Sequence, residues 1–172
     1  EHNLPRGPFP LIGIFYKWED SFPKKQMDRY AKGKHIIVYT WEPYLKDFKE
    51  DSILPEIEVG HFDSLIEKLA KDMKSYGDPI FLRFGHEMNG DWYPWCGIFN
   101  GKNGELYKKC FRRIVDIFRK IGADNVAFIF SPNYKDVPRK KWNRFEEYYP
   151  GDEYVDVIGV DLYNFGNYAK FS

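Results

Sequence analysis

The sequence predicts an α/β fold built on a parallel sheet, and three observations carry that prediction. Five short apolar runs recur along the 172 residues without the strict alternation of a half-exposed sheet, as expected of strands covered on both faces. Amphipathic helical patterns fall between them, giving the strand–helix order of βαβ units. Polar and aromatic residues gather at the carboxyl end of every run, where open-sheet and barrel α/β proteins carry their sites.

The first strand is expected over Leu11–Phe15 and leads into Tyr16, Trp18, Glu19 and Asp20. A short helix from about Pro23 to Lys32 turns Met27, Tyr30 and Ala31 inward, with proline at its start and Gly33 behind it. The second strand, Ile36–Thr40, leads to Trp41, Glu42 and Pro43. Tyr44–Gly60 reads as a long polar loop of the kind that shapes a site. Phe62, Leu65, Ile66, Leu69, Ala70 and Met73 then share one helical face that Gly77 terminates. The third strand, Ile80–Phe84, leads to His86, Glu87 and Asn89. A second long helix presents Tyr107, Cys110, Phe111, Ile114, Phe118 and Ile121 and stops at Gly122. The fourth strand, Val126–Phe130, leads to Ser131, Asn133 and Tyr134, and Lys140–Tyr148 suits a helical turn or two. The fifth, Val155–Val160, leads to Asp161, Tyr163 and Asn164. One such polar end is explicable as a helix cap; five in succession are not.

Composition narrows the function. Aromatics make up 19% of the chain (13 Tyr, 15 Phe and 5 Trp), more than a core of this size needs, so some rings should line a groove. The 26 basic and 26 acidic residues cancel, without the basic excess of a nucleic-acid binder. No apolar run approaches the ~20 residues of a membrane span. Cys96 and Cys110 are expected as buried free thiols, and no metal-ligand spacing, phosphate-cradling glycine motif or GxSxG elbow occurs. No metal and no cofactor is therefore expected.

The most informative stretch is Phe81–Gly97, FLRFGHEMNGDWYPWCG. A short apolar run ends at one acid, Glu87, followed by Asn89, Trp92, Tyr93 and Trp95. A carboxyl group can trade protons, and flat rings stack on the apolar faces of pyranoses, so the pattern points to cleavage of a sugar polymer. Glu87 is the candidate general acid/base, and its pKa must be raised for that work. The alternative is an ion pair with Arg83, because strand alternation puts Arg83, Gly85 and Glu87 on one side. His86 either hydrogen-bonds the sugar or braces the strand end. Trp41 is a candidate stacking platform, burial by Trp92 or Trp95 could raise the Glu87 pKa, and Trp18, Trp92 and Trp95 are further candidate sugar-binding residues. Glu42, Asn89 and Asp161 are candidate hydroxyl partners, and Tyr163 is a candidate to orient a nearby carboxylate.

The string RFGHEMNGDWYPW resembles the signature of glycoside hydrolase family 26, a group of (β/α)8-barrel endoglycanases. IVYTWEP at 37–43 resembles that family's third strand, VAFIFSPN at 126–133 its fifth, and YYPGDEYVDVIGVDLYNFG at 148–166 its sixth. The resemblance implies a retaining mechanism with Glu87 as acid/base at the end of barrel strand four. It also places His86 at a position serving the active site, Trp92 at a sugar-contacting position, and Tyr163 near the support of the nucleophile.

That nucleophile is a glutamate at the end of strand seven. Aligned in this way, the five strands are barrel strands two to six. A complete barrel takes ~250 residues, so residues 1–172 are expected to be about five βα units of a catalytic domain. The nucleophile would lie beyond Ser172, and the exposed sheet edges would be covered by the remaining barrel segments or by a partner chain. Implied substrates are β-1,4-mannan or mixed-linkage β-1,3-1,4-glucan, with β-1,3-xylan also open, in a secreted enzyme. The competing expectation is a carbohydrate-binding protein that uses the same aromatic cleft without catalysis.

Overall fold

The computed structural model describes residues 11–45 and 51–163. Five parallel strands form one sheet in sequential order: β1 (Leu11–Lys17), β2 (Ile36–Glu42), β3 (Ile80–Phe84), β4 (Val126–Phe130) and β5 (Val157–Ile158). Helices α1 (Lys24–Lys32), α2 (Leu54–Glu58), α3 (Asp63–Tyr76) and α4 (Glu105–Ile121) occupy the crossovers. The expected α/β architecture is present, with each strand beside its predecessor.

Residue parity explains the core. Ile37, Tyr39 and Trp41 of β2, Ile80, Leu82 and Phe84 of β3, and Val126, Phe128 and Phe130 of β4 are all buried. Phe84 meets Tyr107 and Phe111 of α4, and Phe128 meets Phe111 and Phe118 at ring separations of 5.5–6.3 Å. The predicted apolar faces are the ones buried: Ile66, Leu69, Ala70 and Met73 on α3, and Tyr107, Cys110, Phe111, Ile114 and Phe118 on α4. Each fully buried apolar side chain of this size contributes about 1.5–3 kcal/mol. Gly77 (φ 85°) and Gly122 (φ 73°) end α3 and α4 in the left-handed conformation that glycine tolerates best.

The opposite face differs from the expectation of a sheet covered on both sides. Among the described residues, Leu11, Phe15 and Ile36 remain exposed there, as does Val157, the register partner of Ile129. The long segment expected as polar loop contains α2, started by Pro55 in its first turn and anchored by buried Leu54 and Ile57; residues 46–50 of it lie outside the described residues. The fifth strand is shorter than Val155–Val160. Phe128 N–H donates to the Asp156 carboxylate at 2.7 Å rather than to a strand carbonyl, which interrupts the ladder. Its hydrogen bonds nonetheless continue, from Asp156 to Phe128, Gly159 to Phe130 and Asp161 to Pro132. This carries Asp161 to the level of the β3 and β4 ends. Lys141–Asn143 and Phe145–Tyr148 supply the expected helical turns, both as 3-10 helix.

Candidate active site

The strand ends converge on a kink after β3. Gly85 (φ 51°) and Glu87 (φ 54°) are both left-handed, so the alternation of the strand stops at Phe84. A non-glycine residue in this region costs on the order of 1–2 kcal/mol, and the surrounding structure holds Glu87 there. Gly85 N–H donates to Trp41 O of β2 at 3.0 Å, and Glu87 N–H donates to Ser131 O after β4 at 2.8 Å. The carbonyls are satisfied as well: Phe84 O accepts from the Tyr107 hydroxyl, His86 O from the Trp95 indole, and Glu87 O from Gly90 N–H. A Cβ at Gly85 would stand 3.1 Å from the Tyr107 ring, so position 85 needs glycine both for space and for conformation.

The Glu87 side chain is nearly covered, at 6% exposure, and its Oε2 accepts a 2.8 Å hydrogen bond from Trp92 Nε1. Burial raises its pKa; the Trp92 hydrogen bond opposes this, Asp161 reinforces it and Arg83 opposes it. The net direction is upward, as a proton donor requires. Trp92 itself is 44% exposed and offers an open indole face beside the carboxyl group.

Arg83 does not serve Glu87 as the alternative reading had it. Its Nε donates to Thr40 Oγ1 at 3.0 Å and its Nη1 to Asp161 Oδ1 at 2.5 Å, while its guanidinium lies over the Phe15 ring. Ser131 Oγ donates to the other Asp161 oxygen at 3.0 Å. Thr40 and Arg83 are register partners on β2 and β3, so the network ties four strands together just below the kink. Glu42, also buried, accepts from the Tyr44 hydroxyl at 3.1 Å. Burial raises its pKa against the pull of Tyr44, Arg83 and Lys17.

His86 is 3% exposed and packs against Phe15, Tyr93 and Trp95. Burial, assisted by Arg83, lowers its pKa to about 3, so the ring is neutral. Its Nδ1 is buried without a protein partner. Tyr93, part of the motif around Glu87 but given no role of its own from the sequence, stacks on Trp95 at 4.3 Å. Its hydroxyl pKa rises through burial and then through the charges of Glu87 and Glu42. The signal for it was present in the WYPW string.

Three indole assignments need correction. Trp18 and Trp41 are fully buried and stack on each other at 3.9 Å. They belong to the packing on the helix-covered side, because Trp41 shares parity with Ile37 and Tyr39. Trp95 is also fully buried, with its N–H on His86 O and its ring on Tyr93. Asn89 is fully buried too. Its side chain holds Asn133 through both the N–H and the carbonyl, and its Nδ2 also reaches Asp136. It therefore fastens the loop after β4 and presents no group to a ligand. Tyr163 lies at the rim with 63% exposure, and Asn164 lies outside the described residues. Cys96 and Cys110 are buried free thiols, as expected, whose pKa burial pushes up to about 12. Among the described residues, no cluster of His, Cys, Asp and Glu could hold a metal ion, and no helix is long and apolar enough to cross a membrane.

The described residues form a parallel α/β sheet with a buried acid at one strand end and an exposed indole beside it, and comparison makes the assignment specific. Residues 27–172 match glycosyl hydrolase family 26, and the chain belongs to that family. It is 38% identical over 160 residues to endoglucanase H of Acetivibrio thermocellus, covering 91% of this chain and 17% of that protein. It is 33% identical over 122 residues to a mannan endo-1,4-beta-mannosidase of Bacillus subtilis, covering 66% of this chain and 32% of that one. Among solved structures, the GH26 β-mannanase BoMan26A of Bacteroides ovatus superposes with a TM-score of 0.67 at 20% identity, over 92% of this chain and 54% of that chain. The Bacillus subtilis mannanase gives 0.65 at 22% identity, over 90% and 55%. The fold is thus part of a (β/α)8 barrel, and the chain spans about half the length of these structural neighbours.

Proposed function

We propose that this chain carries the acid/base side of the active site of a retaining, endo-acting glycoside hydrolase that cleaves a β-linked plant polysaccharide outside the cell. The observation that carries this reading is Glu87 itself: a carboxyl group buried at a strand's carboxyl end, raised in pKa, and set beside the exposed face of Trp92. In the first step Glu87 gives its proton to the departing glycosidic oxygen as a second carboxylate attacks the anomeric carbon. In the second it takes a proton from the water that hydrolyses the glycosyl-enzyme. The two carboxyl groups of such a pair stand ~5–5.5 Å apart. Asp161 is not assigned the nucleophile's role, because Arg83 and Ser131 engage both its oxygens.

Mixed-linkage β-1,3-1,4-glucan and β-1,4-mannan are the proposed substrates. Similarity to an endoglucanase over 91% of the chain supports the glucan, and the mannosidase similarity supports the mannan. Glu87→Gln in the full-length enzyme that contains this chain tests the reading: turnover on both purified polysaccharides should fall by about 100-fold or more while ligand affinity is kept. Undiminished turnover, or a product of inverted anomeric configuration, would remove the acid/base assignment.

A further inference from the structure

The indole N–H of Trp92 is a donor that cannot accept, and it is committed to one oxygen of Glu87, Oε2, at 2.8 Å. When Glu87 is protonated, its carbonyl oxygen is a stronger acceptor than its hydroxyl oxygen, so an N–H held on Oε2 favours the proton on Oε1. The ring is held in the required place from below: a Cβ at Gly90 would stand 2.6 Å from Trp92 Cζ2 and within 2.8 Å of two further ring atoms. Gly90 N–H in turn donates to Glu87 O at 2.9 Å, so acid, glycine and indole form one closed unit of six residues. Gly90 does not have a left-handed φ. The requirement for glycine there is the space occupied by the indole.

We propose that Trp92 is a positioning residue which reserves Oε2 of Glu87 as an acceptor and so selects Oε1 as the oxygen that gives and takes the catalytic proton, with Gly90 as the seat that keeps the indole in reach. This deepens the acid/base reading above and rests on it. The same indole has an open face, so a sugar seated on Trp92 lies against the group that orients the proton donor. The other charged groups acting on Glu87 are Asp161 after β5 and Arg83 of β3. The Tyr93 hydroxyl also senses Glu87 and stays neutral, as does His86. None of these holds the Oε2 position that Trp92 occupies.

The test follows two groups in the protein: the carbon-13 resonance of Glu87 Cδ and the nitrogen-15 and proton resonances of the Trp92 indole N–H, through a pH titration, with Glu87→Gln assigning the first. In the unaltered protein the indole resonance should move with the same midpoint as the Glu87 carboxyl. Trp92→Phe keeps a ring but removes the donor, and it should shift the Glu87 midpoint upward, because the N–H favours the charged form. Gly90→Ala keeps the indole but displaces it, and should shift the midpoint in the same direction. An indole resonance that stays flat while Glu87 titrates overturns the proposal without any variant having to fold. So does a Trp92→Phe midpoint that is unmoved or lowered. A flat indole beside a Glu87→Gln variant that has lost turnover overturns this proposal alone, whereas full turnover in Glu87→Gln overturns the acid/base reading and this proposal with it.

Discussion

Arg83 and Asp161, 78 residues apart in sequence, meet at 2.5 Å with side chains only 13% and 18% exposed. The pair joins the middle of the sheet to its last strand at the level where the β3 backbone kinks. Because it is largely shielded from solvent, removal of one partner strands the other charge. Arg83→Met should cost about 2–3 kcal/mol in urea unfolding. It should also raise the Glu87 titration midpoint, since the guanidinium favours the ionised acid and the released Asp161 disfavours it. A Glu87 midpoint unchanged in this variant would show that the network below the kink is electrostatically separate from the acid.

His86 gives a pH signature of the opposite sign. Its folded-state pKa lies near 3, against roughly 6.5 in the unfolded chain. The unfolded chain takes up a proton that the buried ring refuses, so this group's contribution is present above pH ~6.5 and is lost as pH falls toward 3. The loss amounts to roughly 5 kcal/mol at the acid end. His86→Asn should therefore show a shallower fall in stability than the parent over this range in urea unfolding measured at pH steps. Parallel curves would mean that the imidazole is protonated in the folded protein.

The tryptophans separate by stability. Trp41→Ala removes a fully buried ring stacked on Trp18 and should cost about 3–5 kcal/mol. Trp92→Ala truncates a ring that is 44% exposed and should change stability by no more than about 1 kcal/mol, while weakening oligosaccharide binding. Calorimetry of both variants beside a titration with cello- and manno-oligosaccharides checks the division. A destabilised Trp92→Ala with undiminished affinity would return that indole to the core.

Asn89→Ala should loosen the segment after β4. The change orphans Asn133 N–H and removes a donor from Asn133 O and Asp136, at a cost of about 1–3 kcal/mol for the buried groups left unpaired. Amide exchange should accelerate over 133–145 and stay unchanged in α4. Uniform acceleration across the domain would show that Asn89 supports the whole fold rather than this loop.

Much of this architecture was legible in the sequence because apolar periodicity and glycine stops are local signals. The first four strands, α3 and α4 are written in runs of five to seventeen residues whose burial depends on parity alone. The site was only partly legible. Glu87 stood out because one acid closes an apolar run, but its neighbours followed geometry that no local pattern encodes. The parity of Ile37, Tyr39 and Trp41 did contain the burial of Trp41; the expectation of a platform overrode it. The left-handed turns at Gly85 and Glu87 cancelled the alternation that would have paired Arg83 with Glu87. The true partner, Asp161, is found only once strand register is known. At the start of β5 one side chain, Asp156, takes the backbone donor of Phe128, which no local pattern announces.

The paired left-handed residues at 85 and 87 have a bearing on how this scaffold could be rebuilt. An acid moved one place back would enter the aromatic box that encloses His86, and one place forward it would replace Met88, which has no exposure at all. Relocating the proton donor therefore calls for redesign of the turn and of the neighbouring strand carbonyls that grip it. Variation on this frame is more readily introduced at the exposed rim, at Trp92 and Tyr163, than at the pivot.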